Sequence, residues 1–146
     1  MKKIISILTL LIVMMLSVFA GDETTMDVSR LPQAAQTFLN QNFKGVKVTR
    51  IEIDRENGSV QSFETRLSDA TKIEFSADGN LCSIENKRSG ISKKFVSPKA
   101  LQYLEINYPT AKILSCEKKP YGFELEISGN IELKFNSDGN FIGRDS

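Results

Sequence analysis

The chain has 146 residues, with 19 Lys and Arg against 18 Asp and Glu and no histidine at all. Without histidine it has no Cys–His or Ser–His nucleophile and lacks both the commonest general acid–base and the usual nitrogen ligand for zinc, copper or iron. The balanced charge argues against binding nucleic acid or an anionic membrane, both of which need a basic excess on one face.

The first element is an export signal. Lys2 and Lys3 precede an uncharged, mostly apolar stretch from Ile4 to Leu16, followed by Ser17-Val18-Phe19-Ala20. Val18 and Ala20 stand where a signal peptidase reads small or β-branched residues, so residues 1–20 are expected to be a signal peptide cleaved after Ala20. The apolar run is shorter than the ~20 residues that span a bilayer. No stretch after it is long and apolar enough to cross one, and the residue directly after the cut is Gly21, not a cysteine that could carry a lipid. The expected product is a soluble periplasmic or secreted protein with no stable membrane insertion. It keeps 17 basic side chains against 18 acidic ones.

After a short extension over residues 21–30 the chain is a tandem repeat. Phe75-Ser76-Ala77-Asp78-Gly79-Asn80 recurs 60 residues later as Phe135-Asn136-Ser137-Asp138-Gly139-Asn140, and Phe63-Glu64 returns as Phe123-Glu124 at the same offset. Phe38-Leu39 and Asn42-Phe43 return as Tyr103-Leu104 and Asn107-Tyr108 at an offset of 65, so about five extra residues sit around Arg55 to Val60. The repeats run over residues 31–90 and 91–146, each one folding unit of a helix and about four strands.

In the first repeat Leu31, Ala34, Ala35, Phe38, Leu39 and Phe43 fall on one helical face and Gln33, Gln36, Asn40 and Gln41 on the other, with Pro32 in the first turn. Val46 to Ile53 reads as a strand whose apolar phase changes between Val48 and Ile51, as a bulge requires. Phe63, Thr65 and Leu67, then Ile73 and Phe75, alternate toward a core, and Asn80 to Ile84 forms a fourth strand. Lys87-Arg88 and Lys93-Lys94 flank the join and read as a solvated linker. The second helix has Ser97 as N-cap and Pro98 at its first position, buries Leu101, Leu104 and Tyr108, and stops at Pro109. Strands follow at Ile113 to Lys118, at Tyr121, Phe123, Leu125 and Ile127, at Ile131, Leu133 and Phe135, and at Asn140 to Gly143. Such period-two patterning describes a sheet buried on one face and wet on the other.

Three sets of residues are candidates for chemistry or recognition. Glu64, Arg66, Lys72 and Glu74, with Glu124, Glu126, Glu132 and Lys134, alternate with the core set and form an exposed sheet face. It is either a solvated face laced by ion pairs across the ladder or a polar recognition surface for a protein or peptide. Aromatic anchors for it are few, Tyr121 and Phe141 lying near loops. Asp78, Gly79 and Asn80, with Asp138, Gly139 and Asn140, have a partial calcium-loop spacing. They read as structural turns, because Asp-Gly between alternating apolar runs supplies the positive φ of a hairpin and no bidentate Glu follows. Cys82 and Cys116 match Ile142 and Ile51 of the other repeat, and are either a disulfide joining the repeats or buried thiols. No Cys-x-x-Cys, phosphate loop or nucleophile elbow occurs, and no metal or cofactor is expected. Eighteen carboxylates leave a two-carboxylate hydrolase open on residue type alone, but their placement opposite the core argues against it.

The Leu31-Pro32 helix start, its Asn42-Phe43 end, Lys47-Val48-Thr49-Arg50-Ile51, the strands Lys72-Ile73-Glu74-Phe75 and Glu132-Leu133-Lys134-Phe135, and the two Asp-Gly-Asn turns together resemble the β-lactamase-inhibitor-like, PepSY-like family of exported bacterial proteins. The resemblance runs from about Leu31 to Ile142. It implies a tandem α+β fold with helices packed on one face of an antiparallel sheet and the other face open to a partner. It brings no catalytic residues, and β-lactamase inhibition does not follow from the family's name. The expected function is that of a non-enzymatic binding protein recognising a protein or peptide of the cell envelope through the open face. The alternative is a sensor module that takes a small ligand between the repeats.

Overall fold

The computed structural model describes residues 22–145, so the expected signal peptide lies outside the described residues. Nine strands, β1 (Glu23–Thr25), β2 (Val48–Glu56), β3 (Ser59–Leu67), β4 (Lys72–Ser76), β5 (Leu81–Glu85), β6 (Ile113–Lys119), β7 (Gly122–Ile127), β8 (Ile131–Asn136) and β9 (Phe141–Asp145), form one sheet in sequence order. All neighbours are antiparallel. Helix α1 (Gln33–Asn42) is inserted between β1 and β2, and α2 (Pro98–Asn107) between β5 and β6. The fold is thus α+β, two tandem helix-plus-sheet units sharing a single sheet. No helix among the described residues is long and apolar enough to cross a membrane.

Directly paired residues of an antiparallel ladder point to the same face. The register therefore draws one inward row across all nine strands: Thr25, Ile51, Thr65, Ile73, Ile84, Cys116, Leu125, Leu133 and Arg144. Both helices lie on this face, α1 burying Ala35 and Leu39, and α2 Ala100 and Leu104. Phe75 and Phe135, the repeat-equivalent aromatics, are fully buried. Edge-on rings of Phe38 and Tyr103 meet them at the same centroid distance of 5.7 Å.

Local chemistry sets the element ends. Ser97 Oγ accepts from the Ala100 amide at 3.2 Å and Pro98 opens α2, as its sequence demands. Pro32 stands one residue before α1 and cannot cap it through a side chain. Ala34 is exposed, a correction to the expected stripe: each residue turns about 100°, so centring the buried face on Ala35 and Leu39 carries Ala34 outward. The β2 phase change is a bulge, the register shifting between Val48 and Arg50, and it recurs between Ile113 and Ser115. The extra residues of the first repeat lengthen the β2–β3 hairpin.

The duplicated Asp-Gly-Asn turns have a tertiary role as well as a local one. Gly79 (φ +86°) and Gly139 (φ +83°) are buried, each against the start of its own repeat's helix. A Cβ on Gly79 would lie 2.8 Å from Pro32 Cβ, and one on Gly139 would overlap Ser97 Oγ. Glycine is needed there twice over, for the positive φ and for the close approach.

The join between repeats is not simply a solvated linker. Asn86 is buried, its amide donating to Asp69 O and Thr71 Oγ1 at 3.1 Å each while its Oδ1 accepts from the Arg88 and Ser89 amides. Phe95, carried by a single 3-10 turn, stacks on Phe43 of the first repeat at 6.1 Å and 8°. The polar node fixes the end of the first repeat, whose Asn86 backbone amide donates to Leu114 O at 2.9 Å, and the aromatic staple holds the second repeat to the first.

Candidate functional site

The face of the sheet opposite the helices carries two further transverse rows. One runs Thr24, Glu52, Glu64, Glu74, Ser83, Glu117, Glu124, Lys134 and Gly143; the other runs Arg50, Arg66, Lys72, Glu85, Ser115, Glu126, Glu132 and Asp145. All eight charged residues expected on the open face belong to these rows. Arg50, Glu52, Glu85, Glu117 and Asp145 join them. Their signal was their parity with Ile51, Ile53, Ile84 and Cys116, hidden by the bulges that reset the alternation.

The expected pairing of opposite charges across the ladder fails for most of this face. Glu64 stands opposite Glu74, Arg66 opposite Lys72 and Glu126 opposite Glu132; opposite charges face each other directly at Glu124 with Lys134 and at Lys72 with Glu85. Neutralisation runs along strands instead, Arg50 to Glu52 at 2.6 Å and Arg66 to Glu64 at 2.7 Å. Across strands, Lys72 reaches Glu85 at 3.4 Å and Lys134 reaches Asp145 at 2.6 Å. Lys87 from the join reaches Glu85 and Glu126, and Lys119 reaches Glu117 and Glu124. Hydrogen bonding to Glu117 holds the Lys119 ammonium above its ordinary pKa, and bonding to Asp145 does the same for Lys134. Glu74 and Glu132 make no ion pair among the described residues.

Counting both rows with Lys87 and Lys119 gives nine carboxylates against six cations, an excess of three negative charges. Like charges directly opposite one another cost the sheet roughly a few tenths of a kcal/mol each at exposed positions. At its middle the face is small and neutral, with Ser83 and Ser115 on adjacent strands. Toward β1 it dips into a depression of about 160 Å³ lined by Asp22, Glu52, Asp54, Ser62, Glu64 and Glu74. Among the described residues no group of three or more His, Cys, Asp or Glu is arranged to hold a metal ion.

Tyr121 belongs to this face and not to the core, a correction to the expected alternation. It sits in the turn before β7, is 39% exposed, and its hydroxyl donates to Glu124 Oε1. Phe141 stacks on Tyr103 at 4.4 Å on the helix side. The open face therefore has one aromatic at its margin and none at its centre.

The other candidate residues lie elsewhere. Asp78 and Asp138 are exposed at the turn tips, and Asn136 Oδ1, the first oxygen of the calcium-like spacing, accepts from the Asp138 and Asn140 amides at 3.1 and 2.9 Å. Cys82 and Cys116 are free thiols on the inward face. Cys116 pairs with Ile84, two residues from Cys82, which makes the cysteines diagonal neighbours. Diagonal Cα atoms about 7–8 Å apart are too distant for an unstrained disulfide. Burial pushes the Cys116 thiol up to about 11, and burial followed by the Glu74 charge raises Cys82, so neither is an activated nucleophile. Cys82 is the extra residue of a bulge, as is its equivalent Ile142, which is 52% exposed; the equivalence is to an exposed bulge and not to a core site.

Comparison with protein families matches residues 20–67 and 61–143 to the family described as "Putative beta-lactamase-inhibitor-like, PepSY-like". Three crystal structures share the fold. A protein described as a putative periplasmic protein of unknown function from Bacteroides vulgatus is 28% identical with a TM-score of 0.80, covering 86% of this chain and 100% of that one. A protein described as a putative calcium-regulated periplasmic protein from Bacteroides thetaiotaomicron is 29% identical with a TM-score of 0.78, over 86% and 97% of the two chains. A second Bacteroides vulgatus protein, also described as a putative periplasmic protein, is 28% identical with a TM-score of 0.77, over 88% and 99%. Comparison with curated proteins finds no match.

Proposed function

We propose, from the premise that the chain belongs to the PepSY-like family, that it is an exported, non-catalytic binding protein whose open sheet face docks a protein or peptide with a basic surface. The observation that carries this reading is the register of the two outward rows. A face shaped only for solubility is best served by opposite charges across each ladder. This one sets Glu52, Glu64 and Glu74 side by side, then Glu117 beside Glu124, and Glu126, Glu132 and Asp145 in series. Arg50, Arg66, Lys87, Lys119 and Lys134 offset part of this repulsion, while Glu74 and Glu132 make no ion pair among the described residues, and the remaining negative excess is relieved when cations of a partner lie along the rows. Export is supported by the N-terminal sequence and by the periplasmic description of the structural neighbours. Neither the family description nor the inventory of side chains supplies a catalytic group.

The arrangement favours electrostatic recognition. With serines at its centre and no buried aromatic anchor, the face steers and orients a partner more than it clamps one. The test is affinity capture from envelope extract with the natural protein beside a Glu64→Lys, Glu124→Lys, Glu126→Lys variant whose folding is verified by circular dichroism. A partner held by the first and lost by the folded variant supports the reading. The same partner held equally by both moves recognition to the helices or loops.

A further inference from the structure

The two helices leave a gap over the inward face of the sheet where their two core clusters meet. Helix α1 packs on the buried side chains of β2 to β5 and α2 on those of β6 to β8, and between these sets lies a groove of about 280 Å³. Ile84, Phe95 and Phe123 give it an apolar lining, Cys82 and Cys116 both open into it, and Lys118 stands at its rim. Lys118 is exposed and makes no ion pair among the described residues. The duplication supplies an internal control: the first repeat has the fully buried Ile51 where the second has the smaller Cys116. A side chain as large as isoleucine at position 116 would narrow the groove.

We infer that this groove is a binding site for a small amphiphile with an apolar body and a single anionic head, the class represented by medium-chain carboxylates. An apolar cavity of about 150 Å³ takes up benzene, so this larger groove has room for a short hydrocarbon chain. Well-formed ligand sites combine an apolar lining with a few placed polar groups. Here the unpaired ammonium selects the head, and Ile84, Phe95 and Phe123 take the tail. The site lies on the opposite face of the sheet from the two charged rows and does not depend on what binds there.

The thiols report occupancy. Octanoate, with octan-1-ol as its uncharged counterpart, is titrated into the purified protein while alkylation of Cys82 and Cys116 by iodoacetamide is followed by mass spectrometry. Octanoate is expected to slow alkylation of both cysteines saturably, fivefold or more at saturation, and octan-1-ol to require a several-fold higher concentration. In Lys118→Gln the two concentrations converge. In Cys116→Ile, which installs the residue of the first repeat, Cys82 alkylation no longer responds to octanoate. Unaltered alkylation rates in the natural protein overturn the site. Equal potency of acid and alcohol overturns the role of Lys118, and protection of Cys82 that survives in folded Cys116→Ile places the amphiphile elsewhere.

Discussion

Replacing Gly139 by alanine tests the idea that the repeated Asp-Gly-Asn phrase is a docking element and not only a hairpin turn. Gly45 is its control, because both have φ +83° while a Cβ on Gly45 meets nothing within 4 Å. Both substitutions place a Cβ in the left-handed region, costing roughly 1–2 kcal/mol before the loss of unfolded-state entropy returns about 0.4–1 kcal/mol. Gly45→Ala should therefore cost about 1 kcal/mol net. Gly139→Ala also drives a methyl into Ser97 Oγ and toward Lys99 Cβ at 3.1 Å. Displacing the Ser97 cap adds about 1 kcal/mol, and crowding the helix start adds about 1 kcal/mol or more. The expected total is about 3 kcal/mol, some 2 kcal/mol beyond the control. Urea unfolding followed by circular dichroism reads the difference as a lower midpoint at unchanged slope. Losses for the two variants within about 0.5 kcal/mol of each other would refute the docking argument, since that is the scatter of independent surface changes.

Thr65 is fully buried and its hydroxyl has no hydrogen-bond partner among the described residues, in a row whose second-repeat equivalent is Leu125. Thr65→Val should raise stability by about 1 kcal/mol in thermal unfolding, and a loss of that size would mean that the hydroxyl has a partner. The Cys116 thiol, raised to about 11 in the folded chain against about 8.5–9 when unfolded, gives a signed pH prediction. Between these values the unfolded chain has lost its proton and the folded chain has kept it, so stability is fully present below about pH 8.5 and declines as pH rises toward about 11. Cys116→Val should flatten that decline by roughly 2 kcal/mol; an unchanged alkaline slope would contradict the burial argument. Asn86→Ala should cost about 2–3 kcal/mol by orphaning the Thr71 hydroxyl and the Asp69 carbonyl beneath the join, with a loss under about 0.5 kcal/mol counting against the polar node.

How much of this was readable beforehand follows from where periodicity persists. Phe63, Thr65, Leu67, Ile73 and Phe75 alternate without interruption, so their burial could be read at period two, and the same holds for Leu125, Ile127, Leu133 and Phe135. Ser97-Pro98 announced α2 through chemistry confined to one turn. What escaped depends on register. A bulge at Thr49 resets β2, so Arg50 and Glu52 were not placed on the open face, and cross-strand partners are set by hairpin and bulge geometry that a linear pattern does not carry. A cation across the ladder from Glu64 is reasonable pairwise, but the register sets Glu52 and Glu74 there and the cation that meets it is Arg66 of its own strand. Asn86 and Phe95 lie in a segment whose lysines suggested solvent, and a single buried amide or ring in a loop has no periodic signal. Tyr121 continued the alternation on paper, but β7 starts one residue later, at Gly122.

Association kinetics of the captured partner at low and high salt, for the natural protein and for the Glu64→Lys, Glu124→Lys, Glu126→Lys variant, test the central claim most directly. If the acidic rows steer the partner, the natural association rate falls roughly tenfold or more from low to high ionic strength, while the variant is slow and nearly salt-independent. Equal rates with equal salt dependence in the two proteins would show that the open face does not meet the partner.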